Sequence, residues 1–348
     1  MTLMYQPLPI VSLLFAASLV LTMGASAWFT HRLEAVCDAL NLPPSLLSLL
    51  GALGANIPNY VASIVAIAGG HLDVGLGIII GSNIYNVAII LSIATFATPK
   101  HHGILLTFKE EQDVRVVGGF SLGVMVSTLV AIWVLPGSPL LDVHRMPLVV
   151  MGLFFIAILL IVGFFGALAI HALRREHPQK IEQSTTGNGK TNDATLEATR
   201  PVVRWIVEGV LALAIALAGV VVMVQSGQAL TTDLHMPDVL AGLLVLAVAT
   251  SLPNTVVALG LARTDREVAC VEEIFSSNSI NAALGIALPL LFWRDVLHDR
   301  ILLFLDGPLM VALTLGALLC VFRRRVSRIT AVLLFLVYVA WVVAHVFV

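Results

Sequence analysis

The chain contains one stretch of 33 residues twice, and this internal repeat constrains the fold more than any other feature. Residues 54–86 read GANIPNYVASIVAIAGGHLDVGLGIIIGSNIYN, and residues 249–281 read ATSLPNTVVALGLARTDREVACVEEIFSSNSIN. An offset of 195 residues aligns the two copies without a gap and superposes the Pro-Asn and Ser-Asn pairs of each. Self-similarity at a fixed offset indicates one structural unit used twice.

Both copies place amides, hydroxyls and prolines inside strongly apolar sequence. A polar group at membrane depth costs free energy, so its presence points first to a functional site. The alternative is that these side chains only join helices through hydrogen bonds, as small and polar residues do in membrane bundles. The register that the two copies share favours the functional interpretation.

The composition indicates a membrane protein. Of the 348 residues, 59% are hydrophobic and 11% are charged, whereas soluble domains carry about 25% charged residues. The formal charge of −2 and the lack of a basic patch give no reason to expect nucleic acid as a partner. The first apolar segment has no Lys/Arg-rich leader and no clear cleavage site, so we expect a retained helix rather than a signal peptide.

Ten apolar segments have the roughly 20 residues that a membrane-spanning helix needs. None of them alternates with period two, so we predict an all-α polytopic membrane protein. The segments are 8–30, 44–69, 74–97, 115–135, 147–172, 203–225, 238–261, 269–292, 301–321 and 329–348.

One long polar stretch divides these segments into two sets of five. Residues 174–201 are rich in Gly, Asn and Thr and show no periodicity, which predicts a flexible linker. The domain prediction is therefore a first membrane half at 1–173, a cytoplasmic linker at 174–201 and a second membrane half at 202–348.

The basic residues predict the orientation, because loops on the cytoplasmic side carry an excess of Lys and Arg. Sixteen of the 19 Lys and Arg follow the odd-numbered segments, and the other side holds only Arg145, Arg294 and Arg300. This bias predicts that both termini lie outside and that the linker is cytoplasmic.

An odd number of helices in each half gives the repeat a geometric meaning, because the second copy then enters the membrane upside down. Inverted repeats of this kind are the architecture of secondary transporters, with sites near the midplane formed by interrupted helices. Pro58 and Pro253 lie in the middle of the second and seventh segments. Each lacks an N–H and clashes with the carbonyl four residues back, so we expect helix breaks at both.

The candidate site is a quasi-symmetric set of amide and hydroxyl groups around these two prolines. Ser82 with Asn86, and Ser277 with Asn281, are spaced i, i+4 and so share a helix face. Asn83 and Asn278 point about 100° away and are expected to tie helices together. Oxygen ligands of this sort suit hard cations such as Na⁺ and Ca²⁺. The candidate cation ligands are Asn56, Asn59, Ser82, Asn86, Thr250, Ser251, Asn254, Ser277 and Asn281.

These motifs carry a resemblance to a known family. GANIPN with GIIIGSNIYN, and ATSLPN with EEIFSSNSIN, resemble the two alpha repeats of the cation/Ca²⁺ exchanger superfamily, which includes the sodium/calcium exchangers. Those repeats usually read as variants of GTSLPE followed by GNIVGSNIFN or GSNIAD. The resemblance implies the exchanger fold, alternating access, and ions bound between the second, third, seventh and eighth helices by the candidate ligands named above other than Asn56, which stands with Ala55 where the first motif usually has Thr and Ser.

The main departure from the family pattern is the loss of its acids. Asn59 and Asn254 stand where the family has Glu after the proline, and Asn281 stands where an acid often ends the second motif. Ca²⁺ affinity depends on ligand charge, so high-affinity Na⁺/Ca²⁺ exchange is not the expectation here. Glu273 lies one turn before Ser277 and is a candidate displaced carboxylate, or alternatively an interfacial acid at the start of its helix.

The sequence thus predicts a secondary cation antiporter with altered selectivity rather than an enzyme, because no nucleophile or acid–base constellation lies at depth. Na⁺, and Ca²⁺ if Glu273 assists, are the expected transported ions, and no cofactor is expected. A non-transporting scaffold or sensor, or a transporter of a non-cation solute, remains the alternative. We expect a monomer in the lipid bilayer of a prokaryotic plasma membrane.

Overall fold

The computed structural model describes residues 7–39, 52–99, 102–133, 193–234, 240–264, 266–292, 297 and 299–346. The predicted fifth segment, 147–172, the start of the second and much of the linker lie outside these residues. Each of the other predicted segments is helical where it is described. The α-helices are α1 (Leu8–Ala39), α2 (Ile57–Ala68), α3 (Leu72–Tyr85), α4 (Leu91–Ala97), α5 (Phe108–Trp133), α6 (Asp193–Asp233), α7 (Ala247–Arg263), α8 (Glu267–Ala282), α9 (Leu288–Phe292), α10 (Gly307–Phe322) and α11 (Arg328–Val346).

Four short π-helical turns extend or join these helices. Two of them connect α3 to α4 and α8 to α9, so that each pair forms one long helix, and the other two precede α7 and α10. The turns are Asn86–Ile90, Ala241–Leu246, Ala283–Ala287 and Leu302–Asp306.

Seven helices of the described chain are long and apolar enough to cross a membrane. The helix that runs from Leu72 to Ala97 is the most central, because every residue of its most apolar stretch is buried inside the protein. A helix that is hydrophobic all round belongs in such a position. The first helix and α11 are peripheral and expose most of their apolar residues. The chain is therefore a multi-pass, essentially all-α membrane protein.

Two helices are longer than their apolar segments predicted. Helix α1 ends at Ala39 rather than near residue 30, and α6 runs from Asp193 to Asp233 rather than over 203–225. The last residues of the predicted linker, 193–201, are therefore helical. Hydropathy marks only the part of a helix inside the membrane, whereas Ala, Leu, Glu and Arg in these extensions favour helix in water as well.

A two-stranded antiparallel ribbon, which was not predicted from the sequence, joins the loop after α4 to the loop after α10. Strand β1 (Ile104–Leu105) pairs with β2 (Arg325–Val326), with Ile104 opposite Val326. The two loops were both predicted to lie on the cytoplasmic side, and their pairing requires that they share one side.

Close backbone contact holds α3 against the start of α7. A Cβ on Gly81 would lie 2.5 Å from the Leu243 carbonyl oxygen, and a Cβ on Gly242 would lie 2.4 Å from that of Val74. Small residues permit such an approach between membrane helices. Gly242 and Leu243 lie in the π-helical turn that runs into α7, so this contact brings the first repeat against the helix that carries the start of the second repeat.

Candidate functional site

The first repeat interrupts its helix at Asn56, as Pro58 predicted. Residues 52–55 are helical, Asn56 adopts a turn conformation with φ −91° and ψ 0°, and α2 begins at Ile57. Pro58 occupies the first turn of α2, where its missing N–H costs no hydrogen bond within that helix. The break places the Asn56 side chain at a junction between two helical segments.

The second repeat does not break in the same way, so the prediction of a helix break at Pro253 is wrong. Helix α7 continues through Pro253 from Ala247 to Arg263. A proline in a membrane helix is tolerated when neighbouring groups satisfy the backbone that it frees. The Thr250 hydroxyl donates to the Leu246 carbonyl at 2.8 Å, a hydrogen bond back to the preceding turn that Thr residues make inside helices.

Asn56 is the centre of a hydrogen-bond network between the two repeats. Its Nδ2 donates to the Ala52 carbonyl at 2.7 Å and to the Ser277 Oγ at 2.8 Å. Its Oδ1 accepts from the Nδ2 of Asn254 at 2.7 Å and from that of Asn59 at 3.3 Å. Both donors and both acceptor positions of the Asn56 amide are thus used by neighbours.

A second network crosses between α3 and α8 with near two-fold symmetry. The Nδ2 of Asn83 lies 3.3 Å from the Asn278 carbonyl, and the Nδ2 of Asn278 lies 3.3 Å from the Asn83 carbonyl. The Asn86 Nδ2 donates to Asn278 Oδ1 at 2.8 Å, and the Asn281 Nδ2 donates to Asn83 Oδ1 at 3.2 Å. The prediction that Asn83 and Asn278 tie helices together is confirmed.

The predicted site residues come together in the protein interior. Ser277, which accepts from Asn56, lies on α8 one turn before Asn281. Ser82 approaches the Ala247 carbonyl of α7 at 3.3 Å. Nine of the predicted ligands are fully buried at 0% exposure, namely Asn56, Asn59, Ser82, Asn86, Thr250, Ser251, Asn254, Ser277 and Asn281. Glu273 is half-buried, and its Oε1 accepts a hydrogen bond from Ser277 at 2.7 Å.

In most amides of this candidate site, the nitrogen has a hydrogen-bond partner and the oxygen has none. Four of the five Asn candidates share this pattern: their Nδ2 atoms donate to a neighbour, but their Oδ1 atoms accept nothing within the described chain, and they are Asn59, Asn86, Asn254 and Asn281. More than 90% of buried polar groups in proteins have a partner. The unpartnered buried oxygens are Asn59 Oδ1, Asn86 Oδ1, Asn254 Oδ1, Asn281 Oδ1, Ser251 Oγ and Glu273 Oε2.

Several supporting groups were not predicted from the sequence. The Ser63 hydroxyl contacts the Gly75 carbonyl at 2.8 Å and the Gly285 carbonyl at 2.6 Å, which ties α2 to α3 and to the turn after α8. Asn83 also approaches the sulfur of Met125 at 3.3 Å. Ser63 aligns with Ala258 in the second copy, so the repeat gave no signal for it. The π-helical turns after Asn86 and Asn281 are a feature often found at functional sites.

A comparison of the chain with models of known protein families identifies its family. The family model described as "Sodium/calcium exchanger protein" matches residues 10–170 and 206–347, which together make up most of the chain. The chain belongs to the sodium/calcium exchanger family. The resemblance inferred from the two repeats is thereby confirmed, and the chain is a member of a transporter family, not an enzyme.

Two curated relatives of this exchanger-family chain share its length. It is 24% identical over 343 residues to "Putative antiporter CaxA" of Alkalimonas amylolytica, covering 95% of this chain and 97% of that protein. It is 22% identical over 280 residues to "Inner membrane protein YrbG" of Escherichia coli (strain K12), covering 80% and 78%.

Solved structures share the fold of the exchanger chain at low sequence identity. The sodium–calcium exchanger NCX_Mj, in crystals soaked with 10 mM Na⁺ and no Ca²⁺, superposes with a TM-score of 0.62 at 17% identity, covering 97% of this chain and 99% of that one. Native YfkE superposes with a TM-score of 0.66 at 13% identity, covering 96% and 92%. The predicted exchanger fold is therefore confirmed.

Proposed function

We propose that the chain is a secondary active antiporter that binds a small monovalent cation such as Na⁺ in the buried cluster and moves it by alternating access. One observation carries this proposal, namely that the unpartnered buried atoms of the cluster are oxygens. Hard cations bind through such ligands. The proposed ligands are the side-chain oxygens of Asn59, Asn86, Asn254, Asn281, Ser251, Ser82, Ser277 and Thr250.

The charge of the cluster supports a monovalent ion over Ca²⁺. Its amides and hydroxyls are neutral, and Glu273 is the one acid of the described chain that hydrogen-bonds a member of it. A divalent ion in this buried place would retain at least one uncompensated positive charge, which is costly in a low-dielectric medium. A single positive charge, in contrast, is balanced by one carboxylate.

We propose a role for Asn56 that differs from the one predicted from the sequence. Because its oxygen already accepts two amide N–H groups, we propose that Asn56 orients Asn59 and Asn254 rather than binding the ion. Each of those two amides is held by its nitrogen, and its oxygen is available.

The same pattern argues against the two alternative functions. An anionic solute would need donors, and each of these four amide nitrogens already uses one of its two N–H groups on a protein acceptor, whereas the four amide oxygens have no partner at all. A purely structural scaffold has no use for unpartnered buried oxygens, each of which costs about 1–3 kcal/mol.

The relatives and the charge bias support a location and an orientation. We propose an inner-membrane protein with both termini outside, since one relative is an inner membrane protein and the basic residues concentrate in loops on the opposite side. The halves proposed for such a chain are residues 1–173 and 202–348, joined on the cytoplasmic side.

The test is isothermal titration of Na⁺ and Ca²⁺ into detergent-purified protein. We expect saturable Na⁺ binding to the wild type, and a Kd at least about tenfold higher for Asn59→Ala and Asn254→Ala, which corresponds to about 1.4 kcal/mol. Ser279→Ala is the matched control, because Ser279 is equally buried on α8 but bonds only the Phe275 carbonyl of its own helix.

The double variant Asn59→Glu/Asn254→Glu restores acids at the family's positions and should gain Ca²⁺ binding. A wild type that binds neither ion, together with an Asn59→Ala variant that behaves as the wild type, would contradict the proposal and favour a scaffold.

A further inference from the structure

Four arginines lie close together between α10 and α11, in and beside the strand β2 of the two-stranded ribbon. Three of them are exposed and the last is half-buried, and none of the ion pairs of the described chain includes any of them. The cation cluster does not use them either. They are Arg323, Arg324, Arg325 and Arg328.

Two of these guanidiniums lie over phenylalanine rings that face outward. The Arg328 guanidinium is 5.8 Å from the centre of the Phe96 ring at the end of α4, and that of Arg324 is 6.0 Å from the Phe108 ring at the start of α5. Phe96 is 47% exposed and Phe108 is 63% exposed. Exposed aromatic rings beside basic groups are typical of the membrane–water interface. We therefore expect the ribbon to lie at the depth of the lipid headgroups.

Arg324 has a backbone conformation that usually belongs to glycine. It follows the last residues of α10 with a φ of 54°, in the left-handed region where the Cβ of an L-residue crowds a carbonyl oxygen. Glycine commonly ends a helix in this conformation. An arginine that is retained there, with its guanidinium over Phe108, indicates a use for the side chain.

An apolar groove runs between α4 and α11 from the position of Arg328. Arg328 lies over Phe96 and one turn before Val332, so its guanidinium is at one end of the groove. The Ser92 hydroxyl contacts the Ala331 carbonyl at 2.8 Å and joins the two helices along it. The groove has a volume of about 310 Å³ and is lined by Ser92, Ile93, Phe96, Val332 and Phe335.

Arg328 brings hydrogen-bond donors to this groove that the protein does not use. No hydrogen bond within the described chain involves its guanidinium, and its Nε has no partner. A guanidinium is a planar fork of donors that matches the oxygens of a phosphate group. The groove thus combines an apolar surface, open to the membrane, with an unpaired cation at its headgroup end.

We propose that this groove binds one anionic phospholipid, with an acyl chain between α4 and α11 and the phosphate on Arg328. The exposed arginines of the ribbon add positive charge at the same level. The loops of the ribbon were predicted to lie on the cytoplasmic side, where the leaflet carries anionic lipid and where basic pockets between membrane helices bind such headgroups.

A second copy of the chain fits the groove less well than a lipid does. A two-fold axis along the membrane normal would bring the arginines of both copies to the same depth and face them toward each other. Like charges that meet in an interface disfavour association. A lipid phosphate, in contrast, neutralises the cation at the end of the groove.

The experiment uses the full-length protein in detergent, washed free of lipid, with thermal unfolding and native mass spectrometry as measurements. Dioleoyl phosphatidylglycerol should raise the Tm in a saturable way, because it binds the folded protein only, and one lipid should be retained in the mass spectrum. Dioleoyl phosphatidylcholine has the same chains without net charge, and glycerol 3-phosphate has the phosphate without chains. Neither should raise the Tm at the same concentration.

Two variants test the two parts of the site separately. Arg328→Gln should raise the Kd for phosphatidylglycerol at least about tenfold. Val332→Trp fills the groove with an indole and should weaken binding with every arginine in place. Arg263→Gln removes an exposed arginine at the end of α7, and Leu333→Trp adds an indole at an exposed position of α11 outside the groove. Both controls should bind the lipid as the wild type does.

Arg328→Lys keeps the charge but not the planar fork, so its affinity should lie between those of the wild type and Arg328→Gln. Size-exclusion profiles and lipid-free Tm values of all variants separate lost lipid binding from misfolding. Equal effects of phosphatidylglycerol and phosphatidylcholine, or unchanged affinity in both Arg328→Gln and Val332→Trp, would overturn the proposal. So would a lipid-free dimer that Val332→Trp abolishes, because a second copy would then occupy the groove.

Discussion

Asn83 and Asn278 are 195 residues apart in the sequence and contact each other in the middle of the protein, where each side-chain amide lies 3.3 Å from the other's backbone carbonyl. Their own Oδ1 atoms accept the amides of Asn281 and Asn86. The two repeats are thus joined by a pair of asparagines that occupy equivalent positions in them. The pair fixes the orientation of two proposed ion ligands without contributing an available oxygen of its own.

Asn278→Ala should therefore destabilise the protein and weaken cation binding together. It removes the acceptor of Asn86 and a donor to Asn83, and each buried group left without a partner costs about 1–3 kcal/mol. Thermal unfolding in detergent and Na⁺ titration measure the two effects. Ser279→Ala, with a purely intrahelical hydrogen bond, should change neither. A loss of stability with unchanged Na⁺ affinity would show that Asn86 needs no positioning.

Asn56→Ala should raise the Kd for Na⁺ about tenfold or more, although the residue is not proposed as a ligand. The reason is that Asn59 and Asn254 lose the acceptor that orients them. A double-mutant cycle with Asn254→Ala checks this, because residues in one hydrogen-bond network show coupling energies of about 0.5–3 kcal/mol. Strictly additive effects on Na⁺ affinity would contradict the orienting role.

Gly81→Ala should destabilise the protein by about 1–3 kcal/mol, which is the usual cost of overpacking. The added methyl group would lie 2.5 Å from the Leu243 carbonyl oxygen and 2.8 Å from the Ala247 Cβ. Gly123→Ala in α5 is the matched control, since nothing lies within 4 Å of its Cβ position and alanine favours helix. Thermal unfolding of the two variants should give opposite signs. Equal stability would mean that the α3–α7 contact is loose.

A second buried polar cluster, which contains none of the proposed cation ligands, offers a test of stability. Asp306 is fully buried, accepts the Trp341 Nε1 at 2.7 Å and lies 3.1 Å from the His345 Nε2. Asp306→Leu should cost about 3–5 kcal/mol, because it leaves its partners buried and unpaired. Adding His345→Leu should recover part of the loss, since hydrophobic replacement of a whole buried pair is often tolerated. Thermal unfolding in which the two losses simply add would contradict this account.

The sequence was most informative where the internal repeat placed polar residues at equivalent positions of two apolar segments. The shared register of Ser82 and Asn86 with Ser277 and Asn281 predicted a buried polar cluster, and the 100° offset of Asn83 and Asn278 predicted that these two residues tie helices together. These inferences depend only on helix geometry, which is local. The family of the chain followed from the same residues.

What the sequence could not predict depends on long-range contacts. Asn56 has the side chain of a ligand, and only the positions of Asn59, Asn254 and Ser277 show that its amide is fully used. Pro253 predicted a break by local sterics, but the surrounding helix continues through it. Strands of two residues, such as Ile104–Leu105, are too short to leave a pattern in the sequence.

The contacts of Gly81 and Gly242 also have a mechanical consequence. The backbone of each helix approaches the other too closely for even a methyl group to fit between them. A rotation of α3 against the start of α7 would press a carbonyl oxygen into the opposite backbone or open a gap lined by peptide groups. We therefore expect these two segments to move together, so that the hinge of the proposed alternating-access motion lies elsewhere.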